Sequence, residues 1–264
     1  MLPLPTSSLL ISTYNWPESL RAVLESVRRQ THLPDEVIVA DDGSREETRA
    51  MLDEMRAAFP RPLIHVWHED LGFRKCLIWN KAIERSRGEV IVQIDGDCVI
   101  DRRFVEDHLR FIQAGAFTCG GRVLLSRERT RQLLAGTPFS RWSSGVSNKM
   151  NALRIPAFWN LFRRSRAKKA YISKGCNMAF WRKDLLAVNG YNEAITGWGR
   201  EDAELEVRLM KAGVERQVLK FGGVEYHLFH KENDRSRDAA NIELLNRALA
   251  SDKFWTPDGI VKAK

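Results

Sequence analysis

Short apolar runs alternate with amphipathic stretches along the first hundred residues of this 264-residue chain. Four runs of aliphatic and β-branched residues are typical of strands buried on both faces of a sheet. They lie at residues 9–11, 37–40, 63–67 and 90–94. Between them, apolar residues recur every three to four positions, which predicts helices. These helices begin at Pro17, cover roughly 46–58, and extend over 73–85.

This alternation of strands and helices predicts an α/β fold, a Rossmann-like, mostly parallel, three-layer sheet. Ligands of such sheets bind at the carboxyl ends of the strands, where side chains and helix N-termini meet. Asp41 and Asp42 follow the second strand, and Asp95 and Asp97 follow the fourth. Their positions alone therefore make both pairs candidates for a binding site.

The pattern changes after about residue 125. Residues 126–170 are basic and irregular, with little strand character, and order returns at 171–175. Two further helices are predicted, at 200–212 and 237–250. We therefore expect a first half at 1–125, a basic insert or lid at 126–170 and a second half at 171–264, within a single compact domain.

The composition is that of a globular protein, with 44% apolar and 29% charged residues, which excludes disordered and low-complexity classes. The net charge of +8 is unevenly distributed. Residues 122–183 contain 15 basic residues and one acidic residue, Glu128, whereas the remainder of the chain has a net charge of −6. The chain is thus an acidic body with one basic block.

Four widely spaced cysteines, without a C-x-x-C pair, favour neither a zinc ribbon nor a disulfide framework. The first residues lack the pattern of a secretory signal, and no window approaches 18 apolar residues. These features predict a reduced, cytoplasmic protein. Attachment to the cytoplasmic face of the inner membrane is left open.

Asp95-Gly96-Asp97 directly follows a buried strand. Two carboxylates one residue apart suit Mg²⁺ or Mn²⁺, whose other ligands would be phosphate and water oxygens. An ordinary Asp-Gly turn is the alternative. His227 and His230, three residues apart, could complete the coordination shell with Asp97, although a single histidine is more often structural.

The segment at 197–202, Gly-Trp-Gly-Arg-Glu-Asp, combines two glycines, an aromatic face and two carboxylates at a predicted helix start. Trp198 could stack on a sugar ring, and Asp202 or Glu201 could deprotonate a hydroxyl as a general base. The alternative is a capping pair on a buried helix, with Trp198 in the core.

Asp42 and Arg74 are weaker candidates. A carboxylate after the second strand could accept a hydrogen bond from a base or ribose, but it could equally cap the next helix. Arg74 could contact a base or phosphate, or could be an ordinary solvated arginine.

The basic block allows three interpretations. Apolar residues at 155, 158, 159 and 162 form an amphipathic stripe, followed at once by five basic residues. The segment at 155–169 could lie on an anionic membrane, form a lid over an anionic acceptor, or be a core-packed helix with a solvated edge. Nucleic acid is not an expected partner, because no recognised nucleic-acid module is visible.

Taken in order, these segments resemble the family 2 glycosyltransferases with a GT-A fold. In the first half the resemblance is carried by Ser-Thr-Tyr-Asn at 12–15, Asp-Asp-Gly-Ser at 41–44, Arg74 with Asn-Lys-Ala-Ile at 80–83, and the Asp95–Asp97 motif. From residue 175 through 198–202 to His230, the chain is similar to the C-terminal half of β-1,4-galactosyltransferases and of chondroitin-polymerase-type enzymes. The resemblance covers 8–232, apart from 126–170.

The resemblance implies inverting transfer from a UDP-sugar to a hydroxyl of a glycan or glycolipid, with Mn²⁺ or Mg²⁺, in bacterial surface polysaccharide or lipopolysaccharide synthesis. Residues 1–125 would bind the nucleotide sugar, and 171–264 would bind the acceptor and catalyse transfer. The matched positions are Ser12, Asp42, Arg74 and Asp95 for the donor; Asp97, His230 and His227 for the metal; Trp198 for the acceptor; and Asp202, with Glu201 beside it, as catalytic base.

One departure concerns the acceptor. Galactosyltransferases continue with further acidic residues, whereas Ala203 and Glu204 follow here, so neither the acceptor nor the transferred sugar is defined. Two other functions remain as alternatives. A sugar nucleotidyltransferase would need a glycine-rich, lysine-bearing loop after the first strand, where this chain has Ser-Thr-Tyr-Asn-Trp at 12–16. The other is a basic, non-catalytic protein that binds membrane or nucleic acid.

Overall fold

The computed structural model describes residues 3–137, 140–163, 175–231 and 234–262. The four predicted strands and three predicted helices of the first half are all present. They are β1 (Ser7–Thr13), α1 (Pro17–Arg28), β2 (Glu36–Asp41), α2 (Glu46–Arg56), β3 (Leu63–Trp67), α3 (Lys75–Arg85) and β4 (Val90–Asp95).

The remaining elements are shorter and more varied. Up to residue 134 they are β5 (Cys98–Ile100), α4 (Phe104–Phe111), β6 (Ala116–Gly120), β7 (Val123–Leu125) and α5 (Arg127–Leu134). Next come β8 (Val146–Ser147), 3₁₀ turns at Lys149–Ala152 and Pro156–Phe158, and α6 (Trp159–Phe162). The last are β9 (Met178–Trp181), α7 (Arg182–Ala187), α8 (Glu201–Lys211), β10 (Glu215–Leu219), β11 (Glu225–His227) and α9 (Asp238–Ala250).

The main sheet has seven strands in the order β10-β6-β9-β4-β1-β2-β3, and every pairing is parallel except those of β9. Ser12 of β1 is in register with Asp95 of β4, and Thr13 is in register with Asp41 of β2. The acidic residues therefore lie at one edge of the sheet, as predicted. A second, four-stranded sheet has the order β5-β11-β7-β8.

Apolar side chains cover both faces of the main sheet. One face packs against α1, α2 and α4, with residues such as Leu24, Leu52 and Phe104. The other packs against α3 and α8, with Trp79 and Leu205. Full burial of each aliphatic or aromatic side chain contributes about 1.5–3 kcal/mol. The three-layer α/β prediction is confirmed.

The prediction that 126–170 is irregular is wrong for its first residues. Helix α5 is capped by Ser126, whose hydroxyl accepts the N–H of Arg129 (3.3 Å), and the later strand β8 pairs with β7. Thr130 is the buried residue of α5. Because this helix buries no apolar stripe, the hydrophobic pattern could not indicate it.

The amphipathic stripe divides into two environments. Trp159 is buried against Phe111, and its indole N–H donates to the carbonyl of Phe221 (2.8 Å). Phe158 and Phe162 both contact the ring of Phe221 but remain 47% and 41% exposed. The basic residues at 164–169, and the order predicted at 171–174, lie outside the described residues. Membrane attachment through 155–169 stays a prediction.

A partly buried ion pair links Arg154 to helix α4. The guanidinium of Arg154 donates to both carboxylate oxygens of Asp107 in α4 (2.7–3.0 Å), and the Asp107 side chain is 1% exposed. Cys76, Cys98, Cys119 and Cys176 are all buried thiols that form no disulfide. Within the described ranges, no helix is long and apolar enough to cross a membrane.

Candidate active site

A cleft of about 570 Å³ lies at the carboxyl ends of β1 and β4. Seven residues predicted from the sequence line it: Ser12, Asp42, Asp95, Asp97, Trp198, His227 and His230. Glu201, Asp202 and Arg74 are not among its lining residues. Glu201 and Asp202 begin α8 behind the wall of the cleft, and Arg74 lines a neighbouring pocket.

Pairing between β5 and β11 places the two histidines beside Asp97. His227 is in register with Cys98, and the Leu228 N–H donates to the Asp97 carbonyl (2.8 Å). As a result, the His227 Nε2 atom lies 3.7 Å from Asp97 Oδ1, and His230 Nε2 lies 3.3 Å from Asp97 Oδ2. The structure thus brings one carboxylate and two imidazoles together from distant parts of the chain.

The hydrogen bonding of His230 sets its tautomer. Its Nδ1 atom lies 2.6 Å from the Lys231 carbonyl, and a carbonyl can only accept, so Nδ1 carries a proton. In the neutral ring, Nε2 then directs a lone pair toward Asp97. Burial lowers the pKa of His227, which favours its neutral form. A carboxylate beside two imidazoles is a suitable donor set for a divalent cation.

Asp95 lies on the other side of Gly96 from Asp97. Its Oδ1 atom accepts from the Ser12 hydroxyl (2.8 Å) and from Lys75 Nζ (2.8 Å). Burial disfavours the charged form, but the Lys75 ammonium and the Ser12 hydroxyl outweigh it and lower the pKa of Asp95. A side chain at Gly96 would place a Cβ 2.7 Å from the Ser12 carbonyl oxygen, so the spacer between the two aspartates has to be glycine.

Lys75 connects Asp95 to the start of α8. Its Nζ lies 4.0 Å from Glu201 Oε1, and its side chain is 16% exposed. Burial works against the ammonium form, yet the carboxylates of Asp95, Glu201 and Asp202 hold the pKa of Lys75 well above its usual value. Lys75 is therefore a fixed cation between the two acidic motifs.

Asp202 is half-buried against Gly175. Its Oδ2 accepts the Gly175 N–H (2.8 Å), and a Cβ at Gly175 would lie 2.3 Å from both carboxylate oxygens. Its Oδ1 is buried and has no hydrogen-bond partner among the described residues. Burial, and then the charge of Glu201, raise the pKa of Asp202 well above 3.8. A carboxylate with raised proton affinity and an unused oxygen suits a general base.

The segment at 196–200, here called the tryptophan loop, leads into α8. Gly197, Gly199 and Arg200 have positive φ angles of 72°, 101° and 77°. Arg200 is a non-glycine residue in the left-handed region, which is unfavourable. Its guanidinium forms a two-point ion pair with Asp238, and buried Asn241 donates to three carbonyls of the loop. Helix α9 therefore holds the loop that presents Trp198 to the cleft.

The Asp42 carboxylate already has two donors. His68 Nε2 lies 2.8 Å from Oδ1, and the backbone N–H of Arg74 donates to Oδ2 (2.8 Å). Burial raises the pKa of Asp42, against the effect of these donors. The main chain of Arg74, and not its guanidinium, is what contacts Asp42.

Sequence reasoning did not indicate Lys75, Tyr14 or Arg122, which also line the cleft. Tyr14 donates its hydroxyl to Asp70 Oδ2 (2.8 Å). The signal for Lys75 was weak, because a lysine at the first turn of a helix is ordinarily solvated. It is recognisable only once α8 is placed beside α3.

A family model described as glycosyl transferase family 2 matches residues 8–185, well over half of the chain. The chain belongs to this family. A second model, described as the N-terminal domain of galactosyltransferase, matches residues 159–231 of this glycosyltransferase. That range contains Trp198, Asp202 and both histidines.

Two curated relatives match most of the chain. Chondroitin synthase of Escherichia coli is 25% identical over 265 residues, covering 92% of this glycosyltransferase and 38% of that protein. Validoxylamine A glucosyltransferase of Streptomyces hygroscopicus subsp. limoneus is 28% identical over 233 residues, covering 82% of this chain and 50% of that protein. The chain thus spans half or less of the length of these relatives.

Solved structures show the same fold. Mannosyltransferase PcManGT from Pyrobaculum calidifontis has a TM-score of 0.65 at 18% identity and covers 94% of this chain and 65% of that chain. TarS of S. aureus, residues 1–349, has a TM-score of 0.63 at 15% identity, covering 93% and 66%. The GT-A fold expected from the sequence is confirmed. The family match also confirms a glycosyltransferase, in preference to a sugar nucleotidyltransferase or a non-catalytic binding protein.

Proposed function

We propose that this glycosyltransferase moves a sugar from a UDP-sugar to a hydroxyl of a glycan or glycolipid, with inversion and with Mn²⁺ or Mg²⁺ as cofactor. One observation carries the proposal. A single cleft is lined by Asp97 with two imidazoles and by Trp198 and Lys75, and Lys75 connects it to Glu201, the neighbour of Asp202 at the start of α8. The departing diphosphate needs a bound cation, and the attacking hydroxyl needs a base; these two groups of residues would supply them.

The ligands of the structural neighbours support the donor class. PcManGT was solved with GDP-Man and Mn²⁺, and TarS was solved with UDP. The Escherichia coli relative is named a chondroitin synthase. We propose bacterial surface polysaccharide or lipopolysaccharide synthesis as the setting and the cytoplasm as the location.

Asp97 and His230 would hold the cation, with His227 beside them. When bound, the cation would supply positive charge to the departing diphosphate. The donor set fits a divalent ion, because one carboxylate and two imidazoles converge on one point, with His230 Nδ1 held by the Lys231 carbonyl and Nε2 facing Asp97. On the other side of Gly96, Asp95 and the Ser12 hydroxyl would contact the ribose, and Asp42 would accept from the uracil.

Asp202 would remove the acceptor proton as the hydroxyl attacks the anomeric carbon. Oδ1 would take that proton, because it has no hydrogen-bond partner among the described residues, whereas Oδ2 already accepts the Gly175 N–H. Attack and departure of UDP in one displacement invert the configuration, so an α-linked donor gives a β-linked product. The Trp198 face would orient the acceptor ring.

The test is UDP release by the purified protein from a panel of UDP-sugars, with and without Mn²⁺. Transfer to an acceptor with a β-configured product, determined by NMR, is the expected result. A retained configuration would remove Asp202 from the role of base, and the absence of any Mn²⁺ dependence would refute the cation site.

A further inference from the structure

A second pocket, of about 330 Å³, adjoins the cleft. Phe73 and Trp198 line both, so these two residues lie between the cleft and the second pocket. The pocket lies between the turn before α3, the tryptophan loop and residues 234–237. The Gly197 N–H donates to the Phe73 carbonyl (3.1 Å), and a Cβ at Gly197 would lie 2.8 Å from the Arg237 side chain. The three segments therefore pack directly on one another.

The pocket is lined by two guanidinium-bearing residues, Arg74 and Arg237. Within the described part of the chain, neither guanidinium forms an ion pair or a hydrogen bond. Asp234 also lines the pocket, but its carboxylate accepts from the N–H (3.0 Å) and hydroxyl (2.6 Å) of Ser236. The formal charge of the lining is thus positive.

Two arginines without a carboxylate partner are suited to a carboxylate or phosphate, because the planar guanidinium binds such groups through paired hydrogen bonds. The Asp42 carboxylate accepts only the backbone N–H of Arg74, and Arg74 lines the second pocket. Trp198 lines both the cleft and the second pocket, and its indole offers an aromatic face on which a sugar ring can stack.

We propose that this pocket is an acceptor subsite for a sugar bearing an anionic group, a carboxylate or a phosphate, which Arg74 and Arg237 bind. The inference rests on the proposed function and adds the substrate class to it. The acceptor would lie against Trp198 with its charged group in the second pocket and its reacting hydroxyl on the side of the cleft.

Three probes that differ only at C6 test the charge preference: the p-nitrophenyl β-glycosides of glucuronic acid, glucose 6-phosphate and glucose. Their dissociation constants are measured by ligand-detected NMR on the full chain with UDP and Mn²⁺. At least one anionic probe should bind about five- to tenfold more tightly than the glucoside, the range expected of charged hydrogen bonds in a partly open site. The anionic probe that binds more tightly shows whether the natural acceptor carries a carboxylate or a phosphate.

The variants Arg74→Gln and Arg237→Gln should each reduce the preference, and together they should abolish it. Arg247→Gln, an exposed arginine on α9, is the matched control and should retain it. Three outcomes with the probes would overturn the subsite: equal binding of all three, failure of all three to bind at millimolar concentration, or a preference that survives the double substitution. A fourth is that Arg74→Gln lowers the affinity for UDP more than the affinity for the anionic probe. The affinity for UDP, measured in the same samples, separates the acceptor subsite from the proposed function. If UDP does not bind, the donor site is refuted; if UDP binds and the anionic probes show no preference, only the subsite is refuted.

Discussion

Substitution of Lys75 by methionine tests whether one ammonium controls the protonation of the acidic cluster. Lys75 lies 2.8 Å from Asp95 and 4.0 Å from Glu201, and it acts to lower the pKa of Asp202. Methionine has a similar length and no charge. The variant would leave these carboxylates facing each other in a largely buried site.

The size of the effect follows from the distances. A cation within about 4–6 Å typically lowers a carboxyl pKa by about 1–3 units, so its removal should raise the pKa of the cluster by a similar amount. A base with a higher pKa stays protonated to higher pH. The acidic limb of kcat/KM should therefore move upward by about 1–3 pH units. Loss of one partner of a buried ion pair should also cost about 3–5 kcal/mol of stability.

The assay is the pH dependence of kcat/KM for UDP release, together with circular dichroism to show that the variant is folded. Lys75→Arg keeps the charge and should leave the limb near its wild-type position. Lys253→Met, at an exposed lysine, is the control for removal of a charge elsewhere. An unchanged limb in Lys75→Met, or an equal shift in Lys75→Arg, would refute this reasoning.

Four further results are expected. Asp202→Asn should lower turnover about 10²–10⁴-fold with UDP affinity nearly unchanged by calorimetry, and unchanged turnover would exclude it as the base. Because folding raises the pKa of Asp202, the wild type loses stability as pH rises from the ordinary aspartate range through the folded pKa. The melting temperature of Asp202→Asn relative to wild type should accordingly increase with pH, and a constant difference would contradict this. Asp97→Asn should abolish the Mn²⁺-dependent part of the thermal shift given by UDP, whereas a full shift would remove Asp97 from the cation site. Arg154→Met leaves Asp107 buried without its partner and should cost about 3–5 kcal/mol in urea unfolding, and a cost below about 1 kcal/mol would show the pair to be marginal.

The parallel sheet could be predicted because its strands are continuous apolar runs separated by amphipathic helices. The position of the acidic pairs followed from the same pattern, since carboxyl ends of neighbouring strands share an edge. Contacts between distant segments could not be predicted in this way. The placement of His227 beside Asp97 depends on the pairing of β11 with β5, two three-residue strands that carry little local signal.

Lys75 and Arg74 show where local pattern is insufficient. The two residues are adjacent, yet one lines the cleft and the other lines the second pocket, because the start of α3 lies between the two. The carboxylate of Glu201 comes within 4.0 Å of Lys75 only through the packing of α8, which no local pattern around Lys75 indicates. Helix α5 was missed for a different reason, because its apolar residues, Leu133 and Leu134, are adjacent at its end and form no repeat at helical spacing.

The tryptophan loop depends on α9 for its position, and it carries Trp198, the residue proposed to orient the acceptor. Asn241 and Asp238 hold the loop, yet α9 lies beyond both matched family ranges, which end at residues 185 and 231. A chimera that exchanges only residues 237–250 would change the support of the tryptophan loop and leave Asp42, Asp95, Asp97 and both histidines in place. Because Leu245 of α9 packs against Val207 of α8, the same exchange would reveal how far the helix that begins at Glu201 and Asp202 relies on α9 for its position.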